Sequence, residues 1–427
     1  MASINGGHLV GKYLKEIEKI DIVFGISGGH LESILDGFTE YKIRTIDVRH
    51  EQAAAMMAHA WSVYTGRPGV CFLTAGPGFT NGLTGIANAY LDNAPLVVLC
   101  GRAPIRDDLK GALQEMNQID VVRPMTKWAA TCYDIRRIPE YLSIAFRNAT
   151  GGRPGPVMLE LPPDILNITV DESLVPMPSR SNPKYSVHPD DADLKAAAEI
   201  INNARKPLFI GGSGVGFSRC SGQLEQFIEK SGIPFMLMNY GRGELPDNHP
   251  LSVMDMGNLG LFFSIGQNDV IIAAGLRFNW LLQFGKIIPP TVKIIRIDID
   301  PQEINRNVEA HVGLVGDAGS VLDQLTPLVK KNDHSEWMNT LKSAGRSLLD
   351  YELRMRETAS DPIHPIRLAA QIQKFVGDDA VYIADGGDTQ YFGLAGFMSR
   401  QKAGVVASAA GLLGCLGTGI PFGMAAK

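Results

Sequence analysis

The chain has 427 residues, which is enough for two or three domains of ordinary size. With 45% hydrophobic and 20% charged residues, it has the composition of a globular protein, which excludes wholesale disorder. Its 40 Lys and Arg against 45 Asp and Glu give a net charge of −5, so it lacks the basic surplus of a nucleic-acid-binding protein.

Membrane insertion and secretion are not expected from the sequence. It contains no uncharged apolar run of about 20 residues, and its N-terminal segment has no apolar core typical of a signal peptide. The five cysteines are widely spaced and form no CxxC pair, which favours buried thiols over a disulfide framework or a zinc site. We therefore expect a cytoplasmic protein that binds neither a membrane nor nucleic acid.

The first block, residues 1–175, alternates predicted helices with predicted strands. Hydrophobic spacing predicts helices at 7–19, 31–41, 51–65 and 81–92, and strands at 22–25, 45–48, 69–74, 96–100 and 157–161. The strand segments VCFL and LVVLC are continuously apolar, as expected for parallel strands covered on both faces. The block is therefore predicted to be an α/β domain with a doubly wound parallel sheet.

A polar, proline-rich linker at 175–191 leads into a second block, residues 190–330, in which predicted helices and strands again alternate. This block has one predicted helix and four predicted strands, at 222–231 and at 208–210, 235–238, 270–274 and 293–299. The charged stretch 330–357 has the pattern of a helical connector. The third block, residues 360–427, has one predicted helix and one predicted strand, at 366–376 and 380–384. The predicted fold is thus α/β with three doubly wound parallel-sheet domains, the third incomplete.

Two chemical signals lie close together in the first block. Glu51 opens a predicted helix directly after a strand, and the sequence TAGPG, residues 74–78, follows the next strand. In isolation, a glutamate at a helix start compensates the helix dipole, and Gly-Pro-Gly only marks a turn. The whole segment RHEQAAAMMAHAWSVYTGRPGVCFLTAGPGFTNG, however, resembles the pyrimidine-binding domain of thiamine diphosphate enzymes of the acetolactate synthase, benzaldehyde lyase and 2-hydroxyacyl-CoA lyase group. The resemblance continues through LQEMNQIDVVRPMTKWA and GRPGPVMLELPPDIL.

The resemblance implies a domain assignment and a catalytic residue. Residues 1–175 would be the pyrimidine-binding domain, 190–330 a central Rossmann-like domain and 360–427 the start of a diphosphate-binding domain. In a dry pocket, the carboxyl of Glu51 would hydrogen-bond N1′ of the aminopyrimidine and favour the imino tautomer, whose nitrogen removes the C2 proton. Turns without side-chain bulk let backbone approach the rings, and the residues implied to line the cofactor here are Gly28, Gly76, Pro77, Gly78 and Asn81.

Two further residues point to the substrate. His30, in FGISGGHLES, matches a histidine of benzaldehyde lyase-like members, where an imidazole would move a proton to or from a substrate hydroxyl. Gln114, in GALQEMNQIDVVRP, resembles the glutamine that hydrogen-bonds the substrate in acyloin and hydroxyacyl-CoA lyases. The alternatives are a histidine that fills a polar gap and a glutamine of a polar loop. We interpret both residues as catalytic, together with Glu51.

The second block carries a weaker signal for a nucleotide. GGSGVG at 211–216 follows a predicted strand, as a nucleotide-binding loop does. The segments GLRFNW and IRIDIDPQEINRN are similar to those that hold ADP in oxalyl-CoA decarboxylase and 2-hydroxyacyl-CoA lyase, whereas acetolactate synthases hold FAD there. A loop that keeps its shape without any ligand is an equal alternative. The candidate ADP- or FAD-binding residues are Gly212, Arg277, Asp298 and Asp317.

The third block resembles the first loops of a diphosphate-binding domain. Gly387 and Asp388 lie in DGGDT after a predicted strand. Gly414 and Leu416 lie in GLLGCLG, where relatives carry the apolar residue that wedges between the two cofactor rings. The Gly-Asp-Gly…Asn segment that binds Mg²⁺ in relatives does not occur, so no metal ligand is predicted within this chain. We therefore expect a fragment that is inactive by itself.

Taken together, these features predict a thiamine diphosphate- and Mg²⁺-dependent carbon–carbon lyase or carboligase. It would act on a small-molecule substrate, a 2-hydroxyketone or a 2-hydroxyacyl-CoA, through an enamine on the cofactor. Acetolactate synthase-like decarboxylation and ligation of pyruvate is the first alternative, and a non-catalytic truncated homologue is the second. Because each cofactor of the family lies between two subunits, the resemblance also implies a homodimer or homotetramer.

Overall fold

The structure is a computed structural model that describes residues 3–178, 187–253, 265–377, 380–399, 406–408 and 412–427. The chain forms two compact units. Residues 3–178 and 412–427 belong to the first unit, and the described residues from 187 to 408 belong to the second. Parallel strands alternate with helices in both, which confirms the predicted α/β class.

The first unit is built on a six-stranded parallel sheet with the order β3-β2-β4-β5-β7-β6. Its elements are β1 (Ser3–Asn5), α1 (Gly6–Glu16), β2 (Ile22–Gly25), α2 (Glu32–Glu40), β3 (Arg44–Asp47), α3 (Glu51–Thr65), β4 (Gly69–Leu73), α4 (Pro77–Asp92), β5 (Leu96–Gly101), α5 (Gln118–Val122), β6 (Trp128–Thr131), α6 (Ile138–Thr150), β7 (Val157–Leu161), α7 (Pro163–Leu166) and β8 (Thr169–Asp171). The short strands β1 and β8 pair antiparallel outside this sheet. Strands β4, β5 and β7 are buried along their whole length, which explains the uninterrupted apolar sequences of β4 and β5.

The strand order reverses between β2 and β4. From β2 the chain crosses to β3 on one side, and then returns to place β4 on the other side of β2. In open parallel sheets, ligands bind at the carboxyl ends of the strands beside such a reversal. The loops after β2 and β4 are therefore the expected place for a site.

Two differences from the predicted elements lie around this sheet. Helix α4 begins at Pro77 rather than at residue 81, because proline is favoured at the first helical position, where its missing N–H has no role. Strand β6 and helix α6 were not predicted, although the buried residues of α6 recur at helical spacing. The middle of the predicted linker, residues 179–186, lies outside the described residues.

The second unit is built on a five-stranded parallel sheet with the order β10-β9-β11-β12-β13. Its elements up to residue 325 are α8 (Asp191–Asn202), β9 (Pro207–Gly211), α9 (Ser213–Ser218), α10 (Ser221–Ser231), β10 (Phe235–Leu237), β11 (Val270–Ala274), β12 (Lys293–Asp298), β13 (Val312–Val315) and α11 (Ala318–Leu325). The order reverses between β9 and β11, in the same manner as in the first sheet.

Beyond these sheets, the elements in the described residues after 325 are α12 (Ser335–Glu357), α13 (Pro365–Val376), β14 (Tyr382–Ala384), α14 (Asp388–Gly396), β15 (Val406–Ser408) and α15 (Gly419–Ala426). Strands β14 and β15 pair in parallel. Helix α15 belongs to the first unit and packs on α3, where the rings of Phe422 and His59 lie 5.0 Å apart. The division into three domains stays a prediction. Within the described residues, no helix is both long and apolar enough to cross a membrane.

A fully buried arginine lies inside the second sheet. Arg296, on β12, has no exposed surface, and its Nη2 donates to the carbonyl of Leu276 at 3.0 Å. The guanidinium also lies over the ring of Phe278, 4.8 Å from its centroid. Its Nε and Nη1 have no hydrogen-bond partner among the described residues, and burial lowers the pKa of the guanidinium. Buried N–H groups without partners destabilise a fold, so this residue lowers the stability of the second unit.

We expect Arg296→Met to raise the free energy of unfolding by about 1 kcal/mol, because it removes a buried charge with two unpaired donors. Urea or thermal unfolding of the purified protein measures the change. Lys293→Met, at the exposed start of the same strand, is the control, and it should change stability by less than about 0.5 kcal/mol. A loss of more than about 2 kcal/mol in Arg296→Met would show that the guanidinium stabilises the sheet.

Candidate functional site

The loops after β2, β4 and β5 meet at the carboxyl edge of the first sheet. The Nδ1 atom of His30, after β2, lies 3.4 Å from Oγ1 of Thr74, after β4. A Cβ atom at Gly28 would lie 2.4 Å from Cβ of Thr74, and one at Gly101 would lie 2.8 Å from Cβ of His30. Only glycine fits at these two positions, so His30 is held close to the ends of three strands.

Glu51 is the first residue of α3, and only 9% of its surface is exposed. Its Oε2 accepts a hydrogen bond of 2.9 Å from Nδ2 of Asn81, on α4. A Cβ atom at Gly78 would lie 3.4 Å from Glu51 Oε1 and 2.6 Å from Cγ2 of Thr74. The carboxylate is thus fixed through one oxygen, while the other faces a position without a side chain. The structure brings Glu51, Gly78 and Asn81 together, as the sequence predicts.

The Gly-Pro-Gly turn is held by a buried network that sequence reasoning missed. Gly76, with a φ of 60°, donates its N–H to Oε1 of Gln118 at 2.9 Å. Nε2 of Gln118 donates to the carbonyl of Gly101 at 2.9 Å and to Oε1 of Glu160 at 2.8 Å. Oε2 of Glu160 accepts from Thr131 Oγ1 at 2.5 Å. The one available signal was Glu160, the single charged residue in the apolar strand VMLEL.

Gln114 lies directly over the same turn. A Cβ atom at Gly76 would come within 2.9 Å of Cβ of Gln114, so glycine is required there. Gln114 itself has a φ of 61°, a conformation that non-glycine residues rarely adopt and that is found at functional sites. The structure therefore places the predicted residues His30, Gly28, Gly76 and Gln114 at one edge of the sheet.

The electrostatic setting of His30 favours its neutral form. Burial lowers the pKa of its imidazole, and a hydrogen bond with the backbone of Leu113 partly opposes this. A lowered pKa means that the ring becomes protonated only at a pH below its ordinary titration range. At neutral pH the imidazole therefore carries one unprotonated ring nitrogen and can accept a proton.

Glu115 fixes the loop that presents Gln114. Its carboxylate accepts hydrogen bonds from three backbone N–H groups, those of Leu109 at 2.5 Å, Gly111 at 3.0 Å and Ala112 at 2.9 Å. These bonds favour the ionised form and lower the pKa of Glu115. The loop therefore keeps its shape through a side chain next to the candidate catalytic glutamine.

The remaining cofactor candidates lie on other parts of the chain. Gly387 and Asp388 are exposed residues of the second unit, at the start of α14. Gly414 and Leu416 belong to the first unit, and Leu416 is 64% exposed rather than buried in a core. Among the described residues, no group of three His, Cys, Asp or Glu side chains is arranged to hold a metal ion.

The nucleotide candidates lie at the carboxyl edge of the second sheet, but each has a partner within that unit. A Cβ atom at Gly212 would lie 2.4 Å from the carbonyl oxygen of Gly275, so the two loops are in backbone contact. Nε of Arg277 lies 3.7 Å from Oε1 of Glu303. Asp298 accepts from the N–H of Asp300, and Asp317 caps α11 by accepting from the N–H of Ser320. Burial raises the pKa of Asp298.

Comparison with known proteins finds two matching domains and full-length relatives. Residues 4–121 match the thiamine pyrophosphate enzyme N-terminal TPP binding domain, and residues 194–325 match the central domain of the same enzymes. The chain is 33% identical to a probable acetolactate synthase large subunit of Methanocaldococcus jannaschii, over 96% of this chain and 71% of that protein. It is 30% identical to human 2-hydroxyacyl-CoA lyase 1, over 99% of this chain and 73% of the lyase. It is 32% identical to an acetolactate synthase of Mycobacterium leprae, over 99% of this chain and 69% of that enzyme. These matches confirm the resemblance found in the sequence.

Glu115→Gln should loosen the loop at 109–115, because a neutral amide accepts backbone hydrogen bonds less strongly than a carboxylate. Hydrogen exchange at pH 7, read by mass spectrometry, should show faster exchange at Leu109, Gly111 and Ala112. In the wild type, the carboxylate's stabilisation is complete above the ordinary pKa of 4.5 and is lost as the pH falls through the lower folded-state pKa. The variant should show no such pH step.

The control for this experiment is Glu140→Gln. Glu140 is exposed and also has a lowered pKa, but its partner is Arg137 at the start of α6. This variant should leave exchange in the 109–115 loop unchanged. If hydrogen exchange in the 109–115 loop of Glu115→Gln is as slow as in the wild type, the carboxylate does not hold this loop.

Proposed function

We propose that this chain, which belongs to the family of thiamine pyrophosphate enzymes, breaks or forms a carbon–carbon bond next to a carbonyl group. The observation that carries the proposal is the buried carboxylate of Glu51, with one oxygen held by Asn81 and the other facing Gly78. The substrate we propose is a 2-hydroxyketone or a 2-hydroxyacyl-CoA. When bound, the cofactor supplies a stabilised carbanion, a chemistry that side chains lack.

The surroundings of Glu51 fit the aminopyrimidine ring of that cofactor. Within the part of the chain that the structure describes, no donor binds Glu51 Oε1. Since position 78 has no Cβ, a flat ring can approach this oxygen. Glu51 would then hold a proton between Oε1 and a ring nitrogen, in a site where burial strengthens the hydrogen bond.

His30 and Gln114 support the 2-hydroxy substrates. A neutral imidazole at the carboxyl edge of the sheet can take the proton from a substrate hydroxyl. The Gln114 amide, held above Gly76, can hydrogen-bond the oxygen that loses it. Pyruvate has no hydroxyl group, so acetolactate synthase-like chemistry would leave His30 without this role. That chemistry is the second candidate, because relatives 32–33% identical to this chain are named acetolactate synthases.

The diphosphate would be bound at the start of α14. Backbone N–H groups at a helix start attract anions, and a Cβ atom at Gly387 would meet no neighbouring atom within 4 Å. Mg²⁺ would neutralise the diphosphate, with ligands other than the candidates in this chain. Leu416, largely exposed, is available to contact the cofactor rings. In the active form we propose, a homodimer or homotetramer, each cofactor would lie between subunits, following the family arrangement.

We propose a structural role for the glycine loop of the second sheet. Gly212 packs against the backbone at Gly275, and Arg277, Asp298 and Asp317 have partners of their own. These contacts support the alternative in which the loop holds two strands together, and they leave ADP or FAD without an evident binding group.

Glu51→Gln should slow hydrogen–deuterium exchange at C2 of bound thiamine diphosphate by at least about 100-fold, because an amide cannot hold the proton. NMR of the acid-quenched cofactor measures the rate. Glu32→Gln is a matched control, since Glu32 is also the first residue of a helix but is exposed. If Glu51→Gln exchanges at the wild-type rate, Glu51 does not activate the cofactor.

His30→Ala should depress cleavage of an acyloin by about 100-fold while leaving decarboxylation of pyruvate nearly unchanged, since only the first reaction removes a proton from a hydroxyl. Both rates are measured in steady state at saturating cofactor. His8→Ala, which removes an imidazole paired with Asp36 on α2, should alter neither rate. Equal losses in both reactions would favour the acetolactate synthase-like candidate.

A further inference from the structure

The far end of the helix that begins at Asp388 is held by a buried arginine. Arg242 follows the turn Asn239–Gly241 in the central part of the second unit, and 8% of its surface is exposed. Its Nη1 donates to the carbonyl of Leu394 at 3.2 Å, and its Nη2 donates to the carbonyl of Phe397 at 2.9 Å. Cations favour the carbonyl end of a helix, so this contact stabilises the C-terminal end of α14.

Asp247 holds the guanidinium in place. Its Oδ2 accepts from Arg242 Nε at 3.0 Å and from Nη2 at 2.7 Å, and 2% of its surface is exposed. The same Oδ2 accepts from the N–H of Ser399, and the N–H of Asp247 donates to the carbonyl of Ser399, both at 2.7 Å. Asp247 is therefore bound both to the arginine and to the segment that follows α14.

The turn that carries Arg242 is itself fitted closely to the second sheet. A Cβ atom at Gly216 would lie 2.0 Å from the carbonyl oxygen of Tyr240, and one at Gly241 would lie 2.5 Å from that of Gly212. These are backbone contacts, which cannot adjust as side chains do. Arg242 therefore connects a rigid part of the central sheet to the end of α14.

A second arginine binds the same end of α14. Nη2 of Arg356, on α12, donates to the carbonyl of Ala395 at 2.7 Å. Gln373, on α13, also binds the segment that follows, through hydrogen bonds with the backbone of Met398. The carbonyl end of α14 is thus fixed from three elements, whereas its first residues, Gly387 and Asp388, are exposed.

We propose that Arg242, held by Asp247, is a positioning residue for cofactor binding. It fixes the carbonyl end of α14, so the N–H groups at the start of this nine-residue helix keep the orientation that a diphosphate requires. This rests on the proposed function, in which Gly387 and Asp388 bind the diphosphate. A buried ion pair is seldom the most stable choice for a core, whereas a planar guanidinium can hold two carbonyls and a carboxylate at fixed angles.

Arg242→Met tests the proposal by removing every donor while keeping a long side chain. Calorimetric titration with thiamine diphosphate in excess Mg²⁺ should give a dissociation constant at least about tenfold higher than for the wild type, as is usual when the support of a binding group is lost. At saturating cofactor, C2 exchange should be unchanged, because Glu51 lies in the other unit. Arg242→Lys can reach one carbonyl and the carboxylate. Its dissociation constant should therefore lie between those of the wild type and of Arg242→Met.

Arg296→Met is the matched control. It also removes a buried guanidinium from the second unit, but Arg296 binds Leu276 rather than α14. It should leave the dissociation constant unchanged. If Arg242→Met does not fold, Asp247→Asn replaces it, since the amide keeps the shape but lacks the charge that holds Arg242. This variant should weaken cofactor binding in the same way.

Two readouts separate failure of this proposal from failure of the proposed function. Wild-type affinity in Arg242→Met, with cofactor bound by the wild type, would overturn the positioning role and leave the proposed function intact. If the wild type itself binds no thiamine diphosphate, the proposed function fails. In that case, backbone hydrogen exchange at 388–391 still decides the positioning role. It should be faster in Arg242→Met, and an unchanged rate would overturn the role.

Discussion

The buried side-chain amide of Gln118 ties the turn after β4 and the end of β5 to strand β7, at the edge of the sheet where the candidate site lies. It accepts from the N–H of Gly76 after β4, donates to the carbonyl of Gly101 at the end of β5, and donates to Glu160 on β7. Only 1% of Gln118 is exposed, so losing it would leave buried groups unpaired, at about 1–3 kcal/mol each. The position of Gly76 then sets the start of α4, and α4 brings Asn81 to Glu51. Glu51, although far from Gln118 in sequence, thus owes its fixed orientation to the same network.

The two parallel sheets share a reversal of strand order but differ in how the loops beside it pack. In both, the strand order reverses beside the second strand of the sheet, and glycine-rich loops follow the strands on either side. In the first sheet the loops present polar side chains, His30 and Gln114, near the ends of the strands. In the second sheet the backbones at Gly212 and Gly275 pack directly on each other. Glycine therefore lets side chains pack closely on the loops of the first sheet, and lets backbone pack on backbone in the second.

The second unit holds two buried arginines with opposite settings. Arg242 has a carboxylate partner and two carbonyl acceptors. Within the described part of the chain, Arg296 has one carbonyl acceptor and an aromatic ring, and two of its nitrogens have no partner. A charge that is fully paired fixes the geometry of its partners, and one that is partly paired mainly lowers stability. The first arrangement joins segments more than 150 residues apart, which explains how α14 becomes part of the second unit.

Several features of this protein follow from the sequence alone. The apolar periods of VCFL and LVVLC predict the buried strands, and the spacing of Glu51 and Gly-Pro-Gly after consecutive strands predicts a site at one sheet edge. These are local patterns, and the parallel α/β topology places the residues that follow each strand at the same edge of the sheet. Only the tertiary structure shows which long-range contacts form, because local spacing does not encode them. Gln118 binds partners 42 residues away in both directions. Arg242 donates to the carbonyl of Phe397, and Gly212 packs against the backbone at Gly275. Such contacts depend on which surfaces the packed chain brings together, because a polar residue in a loop looks the same in sequence whether its partner is water or a buried carbonyl.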